Sequence, residues 1–302
     1  MRGYLRGLSC LVFTSAVVGG LLAAGPATAA GAAATTGTTT CSGTPTAPGT
    51  LTGTHANVVV SGVCFVNAGR AVVTGNLTVT AGSALLAVFA LNDTTGTGKS
   101  SLTVKGNLQV NVGATLVLGC NPANFACIDD PNQSAPTLSS HATVGLDLRS
   151  FRPLGVVVHN FAIGGDLIQT GGGSGVNCKP QGVFQLHQSP VYSAYEVGTV
   201  GGDVRISGYF SCWMGVVQVH VGNTMSFRGN RLADPDAIEI LANHVTGSLI
   251  CRGNSMVWNS SENGNGLFPR TPHPNTVGRN RIGQCVRASP PTPGGPLGPG
   301  PF

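Results

Sequence analysis

Along the chain, short stretches of alternating apolar and polar residues follow a glycine and a small polar residue. The copies are Gly75-Asn76-Leu77-Thr78-Val79, Gly106-Asn107-Leu108-Gln109-Val110, Gly165-Asp166-Leu167-Ile168, Gly202-Asp203-Val204-Arg205-Ile206 and Gly247-Ser248-Leu249-Ile250, with Gly222-Asn223-Thr224-Met225 as a looser one. A period of two predicts strands that turn every second side chain inward. Glycine with Asn or Asp predicts a left-handed corner before each strand. One such strand cannot bury its apolar side alone, so neighbouring units must stack. The copies start 31, 59, 37, 20 and 25 residues apart, an irregular spacing that suits coils with loops of different length. The pattern predicts an all-β fold, a right-handed parallel β-helix or related β-solenoid. A β-sandwich with glycine-rich turns is the alternative. About ten coils at a spacing of about 4.8 Å would make a rod about 50 Å long.

The two ends read differently. Residues 1–30 carry Arg2 and Arg6, an apolar run from Leu8 to Ala24 and the small-residue exit Ala27-Thr28-Ala29, the three parts of a secretory signal cleaved near Ala29 or Ala30. Residues 31–50 are Ala-, Thr-, Gly- and Pro-rich and predict a flexible lead-in tied down by Cys41. The β-solenoid domain is expected over 51–287. Residues 288–302 form a Pro/Gly tail without core-forming side chains, expected to be disordered. No later stretch is long and apolar enough to span a membrane.

Composition narrows the class. Glycine supplies 45 of 302 residues, which excludes a mainly helical protein, and only 9% of residues are charged. Without residues 1–30, fourteen basic residues face eleven acidic ones, too small an excess for a nucleic-acid footprint. Removing Cys10 with the signal leaves Cys41, Cys64, Cys120, Cys127, Cys178, Cys212, Cys251 and Cys285, an even set that suits an oxidising compartment. Many pairings are open. Joining sequence neighbours would give Cys41 with Cys64, Cys120 with Cys127, Cys178 with Cys212 and Cys251 with Cys285. Zinc ligation is disfavoured because no C-x-x-C occurs.

Candidate chemistry is sparse. Gly96-Thr97-Gly98-Lys99-Ser100 resembles the end of a phosphate-binding loop, but Asp93 stands where its first glycine belongs, so it reads as a polar turn. Cleaving polysaccharides on a β-helix needs either paired carboxylates for acid and base work or a basic residue acting beside a bound calcium. Asp129-Asp130 would point to opposite faces of a strand. Asp234 and Asp236 flank Pro235 and could share one side of an extended segment, with Glu239, Arg228 and Arg231 close in sequence, which makes Asp234, Asp236 and Glu239 the catalytic candidates, with a solvated turn as the alternative. The seven histidines show no paired spacing, so no metal site is indicated, and no G-x-S-x-G elbow occurs. Tyr192, Tyr195, Tyr209, Phe210 and Trp213 form the densest aromatic cluster, and Tyr209 and Trp213 are candidates for stacking on sugar rings or for core packing.

From Ile238 to Cys285 the chain carries Asn243-x-Val245-x-Gly247-x-Leu249-x-Cys251-x-Gly253-Asn254, then Pro274-Asn275-x-Val277 and Gly283-Gln284-Cys285. This resembles a segment of uncharacterised secreted actinobacterial β-repeat proteins and covers about one-sixth of the chain. The resemblance implies export and a β-repeat structure, supports pairing Cys251 with Cys285, and carries over no catalytic residues.

The expectation is a secreted, extracellular or cell-surface scaffold or adhesion protein, without a cofactor, whose partners are extracellular polysaccharide or cell-wall components. A β-helix polysaccharide lyase or glycosidase is the first alternative, and a glycan-binding module the second.

Overall fold

The computed structural model describes residues 37–123, 125–234, 238–259 and 274–287, so the expected signal segment 1–30 and the expected tail 288–302 lie outside the described residues. The chain is all-β, with a short 3-10 helix at Gly182–His187. Its strands pair in parallel and, apart from the short pair Phe210–Ser211 with Arg231–Leu232, separate into three ladders. The first runs through Thr38–Gly43, the start of Asn57–Phe65, Leu77–Val79, Leu108–Val110, Leu148–Phe151, Leu167–Thr170, Val204–Ser207, Met225–Arg228, Leu249–Arg252 and Arg281–Gly283. The second takes in Ala84–Ala87 and Thr115–Leu118, the third Ser101–Val104 and Ala142–Val144. The long strands Gly155–Ile163, Tyr192–Val200 and Trp213–Val221 serve both.

Register makes the core continuous. On the first ladder Val58 lies opposite Leu77, and the column continues through Leu108, Leu148, Leu167, Val204, Met225 and Leu249, every member buried. Each such aliphatic side chain contributes roughly 1.5–3 kcal/mol of burial. Asp147-Leu148 is a unit that the sequence pattern overlooks, because Leu146 separates Gly145 from the polar residue. It divides the gap of 59 residues between Gly106 and Gly165.

The Gly-polar pairs have a different purpose from the one their residue types suggest. Gly75, Gly106 and Gly247 do not adopt left-handed backbone. A Cβ on them would instead meet the carbonyls of Ala56, Gly75 and Asn223, the strand connections directly alongside. The polar partner bonds onward: Asn57 Oδ1 accepts the Asn76 amide (2.9 Å), Asn76 that of Asn107 (2.8 Å), and Asn107 that of Asp147 (3.2 Å). Asp147 then accepts the Asp166 amide (2.7 Å), Asp166 that of Asp203 (2.8 Å), and Asp203 that of Thr224 (2.7 Å). Left-handed backbone lies elsewhere: directly after first-ladder strands, as at Arg152, Gly171 and Gly208, and at the corner positions Asn160, Val197, Gln218 and Ala242, with φ of 48°, 53°, 55° and 53°. Asn160, Val197 and Gln218 bend the long strands between second and third ladders. Left-handed backbone is costly for a β-branched residue such as Val197.

Part of the expected lead-in is ordered. Thr38–Gly43 pairs over six residues with Asn57–Gly62, because main-chain hydrogen bonds and the Cys41–Cys64 disulfide hold a segment whose side chains bury little. The other disulfides are Cys120–Cys127, Cys178–Cys212 and Cys251–Cys285, each again joining sequence neighbours.

Loops cover the outer side of the second ladder. Segments 88–100, 119–141 and 171–191 bring Val88, Phe89, Ala90, Cys127 and Phe184 down onto it, together with Val157, Tyr192 and Trp213 from the strands. Burial on both faces explains the unbroken apolar run from Ala84 to Ala90. No helix among the described residues is long and apolar enough to cross a membrane.

Candidate functional site

The aromatic candidates are interior. Trp213 is 1% exposed and meets Tyr192 edge-on at 5.9 Å, and Tyr192 in turn meets Phe184 at 5.4 Å. Tyr209 is fully buried; its hydroxyl donates to the Leu154 carbonyl (3.2 Å), and burial pushes its pKa up to about 12. Neither ring presents a face to a sugar, which corrects the stacking role considered for both. The loop 171–191 that seals Trp213 has no periodicity by which the sequence could reveal it.

The acidic candidates do not meet in an open groove among the described residues. Asp234 and Glu239 are each 3% exposed. Glu239 lies opposite Gly215 on the covered second ladder. The Asp234 amide donates to the Cys212 carbonyl (3.0 Å), and its carboxylate stands near the sulfurs of Cys178 and Cys212, which are already bonded to each other. That trio is the one grouping of three potential metal ligands among the described residues. Asp236 lies outside them. Asp129 accepts the amides of Ala90 (2.9 Å) and Leu91 (2.6 Å), and Asp130 those of Asn132, Thr137 and Leu138. These carboxylates pin the covering loops, and the Leu138 and Asn132 amides hold Asp130 below its ordinary pKa.

One titratable contact escapes sequence reasoning altogether. His159 Nδ1 lies 3.4 Å from Glu196 Oε2, the two residues facing each other across adjacent strands of the second ladder. Phe125 stacks on the imidazole at 4.5 Å and closes it off. Burial lowers the His159 pKa to about 3, so the ring is neutral. Only the strand register brings residues so far apart in sequence together.

Among the described residues, two faces remain open. On the third ladder, a trough of about 580 Å³ runs past Thr143, Ala162, Thr199, His220 and His244, with Gly145, Gly164, Gly201 and Gly222 along it. The His220 and His244 rings lie 5.6 Å apart. On the first ladder, register aligns Phe151, Thr170, Ser207, Arg228 and Arg252 on five successive strands. Phe151 is 53% exposed, and Thr170, Arg228 and Arg252 are also exposed. Beside this row, Arg149 binds Asp147, and Arg205 binds Asp166 (3.3 Å) and Asp203. A depression of about 340 Å³ lies between Asp203, Arg205, Ser207, Ser226 and Arg228. Alternation within Leu148-Arg149-Ser150-Phe151 is the sequence signal that could have placed Phe151 outside.

Compared with known proteins, the chain matches no family model, no curated protein and no solved structure.

Proposed function

We propose that the chain is a secreted, right-handed parallel β-solenoid acting as an extracellular or cell-surface scaffold or adhesion protein, with polysaccharide or cell-wall polymers as its partners. Parallel pairing between successive segments supports the solenoid, and parallel crossovers are right-handed in nearly all proteins. Four disulfides suit export into an oxidising compartment, as does the signal read in residues 1–30. Kinship with the secreted actinobacterial β-repeat proteins belongs to the same reading. There the Asn and Gln residues of the shared motif would be stacking residues, since Asn275 accepts the Asn243 amide (3.0 Å) and Gln284 that of Asn254 (3.0 Å).

The observation that carries the functional reading is the open row from Phe151 to Arg252. It is a strip of side chains in register on five successive strands, while Asp129, Asp130, Asp147, Asp166 and Asp203 serve as backbone acceptors. The test is to incubate the secreted protein with plant, fungal and bacterial polysaccharides and measure both retention and turnover. Retention without turnover is expected. Turnover abolished by Asp234→Ala or Asp236→Ala would establish the competing reading, a β-helix polysaccharide lyase or glycosidase.

A further inference from the structure

We propose that the row Phe151, Thr170, Ser207, Arg228 and Arg252 is a docking strip for a single chain of acidic polysaccharide bearing carboxylates, a polyuronate. This rests on the polysaccharide reading above and names the polymer class and the face that takes it.

The argument starts from charge. Arg228 and Arg252 occupy paired positions on adjacent parallel strands and project from the same face. Like charges directly opposite one another are destabilising, and neither arginine forms an ion pair among the described residues. The fold treats Arg149 and Arg205 otherwise and gives both carboxylate partners. Asp203, which lines the depression beside Arg228, is paired with Arg205, and the described carboxylates after it, Asp234 and Glu239, are both buried, so Arg228 and Arg252 are the unpaired charges of this row. Guanidinium forks match carboxylates in two-point geometry, which favours a polyacid of that kind.

The rest of the strip selects a sugar polymer. Thr170 and Ser207 offer hydroxyls between the arginines and Phe151, whose exposed ring provides a stacking face. Strand spacing of about 4.8 Å is of the order of one pyranose along an extended chain. A polyuronate lying across the strands therefore meets one side chain per sugar.

The test is affinity electrophoresis of the full secreted chain in gels containing polygalacturonate, neutral dextran, dextran sulfate or duplex DNA. The proposal expects retardation by polygalacturonate that falls with salt. It expects about tenfold weaker apparent affinity in Arg228→Ala/Arg252→Ala. The Arg228→Lys/Arg252→Lys variant keeps the charge and loses the two-point geometry, so its affinity should be intermediate. Phe151→Ala should weaken retardation while leaving its salt dependence unchanged. These side chains are exposed, and a thermal melt matching wild type certifies each variant as folded. Equal retardation of wild type and the double alanine variant overturns the proposal, as does equal or stronger retardation by dextran sulfate or DNA. Retention by neutral dextran but not polygalacturonate refutes the acidic strip and leaves the broader adhesion reading standing. No retention by any glycan removes both.

Discussion

Asp147 accepts the backbone amide of Asp166 through Oδ1 at 2.7 Å, although the two residues are 19 positions apart. Asp166 repeats the arrangement with Asp203, 37 positions on. A side chain thus completes the main-chain hydrogen bonding of the next segment at the corner where regular strand pairing stops.

Asp166→Ala should therefore cost about 1 kcal/mol, the net worth of one such hydrogen bond. Asp166→Asn should be nearly neutral, since Asn76 and Asn107 do the same work with an amide oxygen. Chemical denaturation of the two variants checks the pair. For Asp147, the Asp166 amide and then Arg149 hold the carboxylate below its ordinary pKa of 3.8. Its stabilising effect is complete above that value and is lost as pH falls through the lowered folded pKa.

Gly201→Ala should destabilise by about 1–3 kcal/mol. Its backbone is not left-handed; the added Cβ would meet the Gly164 carbonyl of the neighbouring segment, which is main chain and cannot rotate away. Alanine at Gly96, where a Cβ meets nothing within 4 Å but φ is 66°, separates local strain from close approach. Melting temperatures of the two variants compare them.

His159 supplies the clearest pH dependence. Its folded pKa of about 3 lies below the unfolded value of 6.5, so between these values the unfolded chain takes up a proton that the folded chain refuses. Stability should fall as pH drops from 6.5 toward 3, by an amount on the order of a few kcal/mol. His159→Gln keeps a polar group facing Glu196 without a titrating ring and should flatten that slope in pH-dependent thermal melts.

Trp213→Ala should destabilise by about 3–5 kcal/mol, as loss of a large interior ring does. The fraction that remains folded should bind glycans as wild type does. Retention assays at low temperature measure the two effects separately.

Much of the strand pattern is visible in the sequence, and the reason is physical. Leu77, Leu108, Leu167, Val204 and Leu249 occupy one inward column, so their alternation with polar residues marks the strands directly. Asp147-Leu148 is hidden by a single inserted residue, Leu146. The use of Gly75 and Asn76 is hidden as well, because close approach and bonding to the next segment leave the same residue types as a left-handed turn. The aromatic reading fails at Trp213 because loop 171–191 folds over the sheet and converts an outer face into an interior, and at Tyr209 because its ring lies in the main core beside Ile206 and Phe227. Phe151 and the arginine pair become a site only once register sets Phe151, Thr170, Ser207, Arg228 and Arg252 side by side.

Stacking in parallel register underlies all of these statements, and a distance measurement tests it most directly. Spin labels on cysteines replacing Thr78 and Ile250 would sit on the same ladder, six strand steps apart. Pulsed dipolar spectroscopy should give a narrow distribution centred near 30 Å, six steps of about 4.8 Å. A separation below about 20 Å, or a broad distribution without a maximum near 30 Å, would contradict it.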